Sequence, residues 1–201
     1  MRVSRFALLR PVQFKITFSL KNKVRIIGGE WRSRIITFPD SADVRPTPDR
    51  VRETVFNWLG QNLSGKNCLD LFAGSGAMGF EAASRGAAQV VMVESDPEVL
   101  KSLRANIHTL GARHIRLVPM DALKFVDSGQ QLFDVIFVDP PYRLELLPKL
   151  LPKLSLHLVE SGLVYVEDDN FLEPGADWLV WRKDRAGNVY YQLLKKNEKN
   201  G

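Results

Sequence analysis

Between Asn67 and Leu194 the apolar positions fall into short runs separated by longer amphipathic stretches. The runs at 67–72, 90–94, 115–119, 134–139 and 163–167 have the length of strands. Two of them, Val90-Val91-Met92-Val93 and Val135-Ile136-Phe137-Val138, are continuously apolar, as strands covered on both faces are. The stretches between them carry helical periodicity, clearest over 97–110, where Ser95 or Asp96 is placed to cap the helix and Pro97 suits its first turn. Strand and helix alternating in this way predict an α/β fold, a doubly wound, mostly parallel sheet. Trp178-Leu179-Val180-Trp181 and Val189 to Leu194 flank the turn-like Arg185-Ala186-Gly187-Asn188 and predict an antiparallel hairpin at the carboxyl-terminal end of that sheet. The connection 144–158 is apolar enough to pack, but Pro148 and Pro152 argue against one regular helix through it.

Upstream, Val24 to Ile36 alternates apolar and basic residues around Gly28-Gly29, which predicts a small hairpin exposing Trp31 with Arg25, Arg32 and Arg34. Next, Thr47 reads as an N-cap, Pro48 as the first helical residue and Asp49 as a complement to the helix dipole. Val51, Val55, Phe56, Trp58 and Leu59 form the apolar face of that helix, leaving Arg45, Arg50 and Arg52 free for phosphate. Three segments result: a basic tail over 1–23, a hairpin and helix over 24–62, and the α/β domain over 63–196. Charge separates them too. Residues 1–52 hold 12 Lys and Arg against 4 Asp and Glu, whereas the remainder holds 16 against 19. A basic arm on a slightly acidic domain suits a phosphate backbone; a solvated hairpin packed on the domain has the same charge pattern.

The candidate chemistry collects at strand ends, where open α/β sheets bind ligands. Gly74-Ser75-Gly76-Ala77-Met78-Gly79 satisfies the dinucleotide spacing, and Glu94 stands where an acid would meet ribose hydroxyls. Asp70 argues against a pyrophosphate, which a carboxylate at the mouth of the same strand would repel. The ammonium and sulfonium of S-adenosylmethionine would be attracted there. Asp139-Pro140-Pro141-Tyr142 follows the most apolar run. An exocyclic base nitrogen is a poor nucleophile because its lone pair is delocalised into the ring. A carboxylate (Asp139) and a carbonyl (Pro140) that accept its hydrogens would aim that lone pair at a methyl donor. The two prolines restrict the backbone, and Tyr142 offers a face for stacking.

This segment resembles the DPPY motif of methyltransferases acting on exocyclic amino groups of nucleic-acid bases, and Asp70 with Phe72, Gly74, Ser75 and Gly76 resembles the cofactor loop of class I methyltransferases. Taken together, IIGG-x-WR, RP-T-x-DRVRET-x-FNWL, CLD-x-FAGSGA-x-G-x-EA-x-SRGA and FVDPPY, in this order over roughly 24–195, resemble the RsmD family of 16S ribosomal RNA guanine-N2 methyltransferases. The resemblance implies a class I, Rossmann-like fold and S-adenosylmethionine as cofactor. It implies a cofactor site of Thr47, the Asp70–Gly76 loop, Glu94 with Ser95, Asp121 with Ala122, and Asp139. The catalytic motif would be Asp139, Pro140, Pro141 and Tyr142. The implied partner is ribosomal RNA, within a partly assembled small subunit.

At 201 residues the chain can bury a substantial core, and its single Cys68 allows no internal disulfide, which points to a reducing, cytoplasmic setting. No apolar run is long enough for a bilayer, and His108, His114 and His157 lack metal-site spacing, so neither membrane nor metal is expected, and the chain is expected to be a monomer. Residues 1–23 are basic and free of acids, with too short an apolar core for a secretory signal; a flexible RNA-touching tail, an upstream start codon and an organellar transit segment are the readings. A DNA amino-methyltransferase acting on adenine N6 or cytosine N4 is the alternative function, although no target-recognition segment is evident. An NAD-linked oxidoreductase and a non-catalytic nucleotide-fold module conflict with Asp70 and with the intact DPPY segment respectively.

Overall fold

The computed structural model describes residues 21–40, 44–129 and 131–197; of the tail expected over 1–23, residues 1–20 lie outside them, and 21–23 belong to a strand instead. Seven strands form one sheet: β3 (Asn67–Asp70), β4 (Gln89–Glu94), β5 (Ile115–Pro119), β6 (Phe133–Val138), β7 (Leu158–Asp168), β8 (Trp178–Ala186) and β9 (Val189–Lys196), in the order β5-β4-β3-β6-β7-β9-β8. The first five positions in that order are parallel, and β9 runs antiparallel to both β7 and β8. The chain switches direction of travel across the sheet between β3 and β6, which opens a crevice at their carboxyl ends. β3, β4 and β6 are buried on both faces, as their unbroken apolar runs require. On one face Val51, Val55, Phe56, Phe80 and Leu103 pack on Phe137, Tyr165 and Tyr191; on the other Phe125, Leu147, Leu150 and Leu154 pack on Leu69, Ile136 and Val164.

The helices are α1 (Asp49–Trp58), α2 (Ala77–Ser84), α3 (Pro97–Leu110), α4 (Ala122–Asp127) and α5 (Leu147–Leu154). Asp96 caps α3 by accepting from the N–H groups of Glu98 and Val99 at 2.8 and 2.9 Å, and Gly111 ends it in the left-handed region. The connection 144–158 is not one regular helix, as expected: α5 spans only part of it and gives way to a 3-10 turn at Ser155–His157. Pro152 nonetheless lies inside α5, which forfeits a single bond there while burying four leucines, and Pro148 occupies the first turn, where no helical partner is lost. One local expectation is corrected: Thr47 does not cap α1, which starts at Asp49 behind Pro48; it is buried beside Glu167 instead.

The amino-terminal hairpin is β1 (Lys21–Arg25) against β2 (Ile35–Pro39), with 26–34 as the connecting loop. It is docked along α2 and α3. Ser102 Oγ and Asn106 Nδ2 donate to the Thr37 carbonyl at 2.6 and 2.8 Å. The loop closes on a buried carboxylate, Glu81 of α2, whose Oε1 accepts from Gly28 N and Arg85 Nε, both at 2.8 Å, and whose Oε2 accepts from Ile27 N at 2.8 Å and Arg52 Nη1 at 3.2 Å. Gly29 (φ 75°) brings the loop so near α2 that a Cβ there would sit 1.8 Å from the Ser84 carbonyl oxygen. Trp31, expected on the surface, is buried against His114, with its backbone N–H donated to Ser84 Oγ at 2.9 Å. Arg52, expected to be free for phosphate, is 1% exposed and also donates to the carbonyls of Thr47 and Arg25 and to Asp49.

Removing Glu81 would leave Arg85 and two loop N–H groups without their buried carboxylate and take one of its two acid partners from Arg52. Glu81→Ala is expected to lower unfolding free energy by about 3–5 kcal/mol in urea titration, the range for breaking one side of a buried pair. An effect below about 1 kcal/mol would mean that the loop is held by its apolar contacts instead.

Candidate active site

Each parallel strand from β4 to β7 delivers an acid at or just beyond its carboxyl end. Asp70 closes β3 and is buried; its Oδ2 accepts from Gly79 N at 2.9 Å. A Cβ at Gly79 would lie 2.3 Å from Met92 Cε and 3.0 Å from that carboxylate oxygen, so any side chain there would displace Met92 and press on Asp70. Burial, with a smaller push from Glu94, raises the Asp70 pKa to about 7, against the bond from Gly79. Glu94 closes β4. Its Oε1 accepts from Ser95 N and Asp96 N at 2.7 and 2.8 Å, and its Oε2 from Gly74 N at 3.0 Å, so the acid splints the glycine turn while retaining lone pairs for hydroxyls. Ser75 is buried and accepts from Ala77 N; Gly76 (φ 80°) begins α2; Phe72 packs half-buried on the second core cluster. Asp121 is exposed and caps α4 through Lys124 N at 3.0 Å, with Ala122 buried behind it.

Asp139 follows β6, level with Glu167 of β7. Burial and the charges of Glu167, Asp70 and Asp168 hold its carboxyl well above the usual range. Pro140 is buried, Pro141 half-buried, and Tyr142 opens a single 3-10 turn with 37% of its surface exposed. The structure therefore brings Asp70, Glu94, Asp139 and Tyr142 to one edge, with Val44 close to Gly74 and Thr47 against Glu167. The arm arginines are more scattered. Arg25 pairs with Asp49 at 3.3 Å, Arg34 donates to the Thr109 carbonyl at 3.2 Å, and Arg32, Arg45 and Arg50 are exposed.

Three residues of this edge were not expected: Tyr165, Glu167 and Asp168. Buried Glu167 accepts from the hydroxyls of Tyr142 at 2.9 Å and Tyr165 at 2.6 Å, and burial raises its pKa against those bonds and the one from Thr47. The signal was available. Tyr165-Val166-Glu167-Asp168 is a strand ending in acids, like its neighbours.

Residues 24–195 match the model of the family described as conserved hypothetical protein 95. The chain belongs to that family. Ribosomal RNA small subunit methyltransferase D of Escherichia coli K12 is 41% identical over 189 residues, 90% of this chain and 94% of the relative. A solved putative methyltransferase, yhhF from Escherichia coli, superposes with a TM-score of 0.78 at 40% identity, over 87% of this chain and 98% of that one. A putative methyltransferase, SMU.776, complexed with SAH shares the fold alone, with a TM-score of 0.69 at 16% identity over 87% of this chain and 56% of its own. The resemblance to the RsmD family and the class I methyltransferase fold are borne out.

A raised carboxylate pKa means that ionisation costs stability. The Asp70 contribution is fully present below its ordinary pKa near 4 and is lost as pH rises through about 7. Asp70→Asn should accordingly gain melting temperature relative to the parent between pH 5 and pH 8, measured without ligand. A constant difference across that range would place the Asp70 pKa near its ordinary value.

Proposed function

We propose that the protein is an S-adenosylmethionine-dependent methyltransferase acting on the N2 amino group of a guanine in small-subunit ribosomal RNA. The observation that carries this reading is the Asp139–Tyr142 segment at the carboxyl end of β6, on the same edge as the acids of β3 and β4. The donor set fits the cofactor. Asp70, Asp139 and Glu167 are crowded carboxylates that a ligand bearing an ammonium and a sulfonium would neutralise, and Glu94 is splinted to receive ribose hydroxyls. When bound, S-adenosylmethionine supplies an electrophilic methyl group.

The chain's own residues prepare the nucleophile. The Asp139 carboxylate and the Pro140 carbonyl accept the two amino hydrogens and withdraw the nitrogen lone pair from ring conjugation. Tyr142 presents its exposed face to the base, and its hydroxyl, anchored on Glu167, fixes the plane of the ring. A guanine must leave its stack to reach this edge, so an unpaired guanine in an incompletely assembled subunit suits the site. Exposed Arg32, Arg45 and Arg50, with surface Arg25 and Arg34, supply phosphate contacts. The relatives named as small-subunit ribosomal RNA methyltransferases support RNA over DNA.

Mapping N2-methylguanine in small-subunit ribosomal RNA from cells with and without the gene tests the reading directly: one modified guanine should disappear. An unchanged map overturns it. Asp139→Ala should lower turnover on the order of a hundredfold while S-adenosylhomocysteine affinity stays within about threefold, because the lost acceptor acts on the amine. Tyr142→Phe should be mild and Tyr142→Ala severe, since a stacked base contributes roughly 1–3 kcal/mol. Equal inactivity of the two would assign the work to the hydroxyl rather than to the ring.

A further inference from the structure

We infer that the tip of the β8–β9 hairpin, with Phe171, is a second nucleic-acid contact, which stacks unpaired bases flanking the target; this rests on the RNA reading above. The register puts it beside the active edge. Asp168, the last residue of β7, pairs with Tyr190 of β9, which pairs in turn with Arg185 of β8. With strands about 4.8 Å apart, Tyr190 stands about 10 Å across the sheet from the chain leaving β6 toward Asp139, within reach of nucleotides adjoining a flipped base.

The residues have the composition of a stacking platform. Phe171, 41% exposed, meets Tyr190 edge to face, with centroids 5.0 Å apart at 87°. Lys183 Nζ lies 4.9 Å from the Phe171 centroid, and Arg185 Cζ lies 6.0 Å from that of Tyr190, with Arg185 Nη1 donating to the Tyr190 hydroxyl at 3.4 Å. Residues 178–196 hold five Lys and Arg against Asp184 alone, and Asp184 is engaged by Tyr191 on the opposite face of the hairpin. Charges alone would be explained by protection of the edge strand β8. Exposed Phe171 and half-buried Tyr190, interleaved with cations, form the arrangement that takes bases on the rings and phosphates on the cations. Asp168 and Asp169, beside Phe171, would steer the phosphates toward Lys183 and Arg185.

The test compares the parent with Phe171→Leu/Tyr190→Leu, Phe171→Tyr/Tyr190→Phe and Lys183→Gln/Arg185→Gln. A fluorescein-labelled single-stranded 12-nucleotide RNA reports binding, S-adenosylhomocysteine calorimetry reports the cofactor site, and methyl transfer is assayed on small-subunit particles from cells lacking the gene. The leucine pair should weaken RNA binding about tenfold or more and raise KM for the particle, with S-adenosylhomocysteine affinity unchanged; the ring-conserving pair should bind like the parent. The glutamine pair should flatten the salt dependence by about one to two units of slope. Parent-like RNA binding by both the leucine and the glutamine pairs overturns the second contact while leaving the methyltransferase reading intact. A parent that methylates no particle overturns that reading and this one with it.

Discussion

Everything at the active edge depends on a carboxylate that never reaches it. Glu81 is sealed beneath the loop 26–34 and gathers that loop, Arg52 of α1 and Arg85 into one hydrogen-bonded knot. An ion removed from water in this way is tolerable only when each of its oxygens is satisfied, and four N–H donors do so here. Because Arg52 also holds the Thr47 carbonyl, the knot fixes where the chain enters α1, and so where the Thr47 hydroxyl meets Glu167. The amino-terminal hairpin and α1 are thus tied into the sheet edge that carries Glu167 rather than forming an appendage.

At the edge itself the physics runs the other way. Asp70, Asp139, Glu167 and Asp168 all have carboxyl groups shifted toward the neutral form, by burial first, with neighbouring charges adding to it at Asp70 and Asp139. Hydroxyl donors from Tyr142, Tyr165 and Thr47 moderate the effect at Glu167. Such crowding is costly in isolation and favourable opposite a cation, so affinity for a positively charged ligand is stored in the packing of the sheet rather than in one strong contact.

The sheet was legible because its information is local. Unbroken apolar runs mark β4 and β6, and the residue after such a run falls at the ligand-binding edge whatever the helices do. That rule located Asp70, Glu94 and Asp139, and applied once more at 163–168 it reaches Glu167. What escaped depends on partners distant in sequence. Arg52 and Trp31 look like surface residues in any window, and only the arrival of Glu81 and Ser84, 29 and 53 residues away, buries them. Thr47 has the right type for a cap, yet Pro48 stands between it and the first helical residue, and Thr47 ends buried beside Glu167, 120 residues downstream.

The strand order carries a consequence for the growing chain. β9 is made after β8 but lies inside it, bonded to β7 on one side and β8 on the other. Until residues 189–196 have been synthesised, β7 has an open edge and β8 has no neighbour in the sheet, so the register that carries Glu167 and Asp168 lacks its flank. Vectorial folding can complete the half of the sheet around β4 and β3 early, but the flank of β7 that carries Glu167 and Asp168 closes last, by insertion of a strand between two already made.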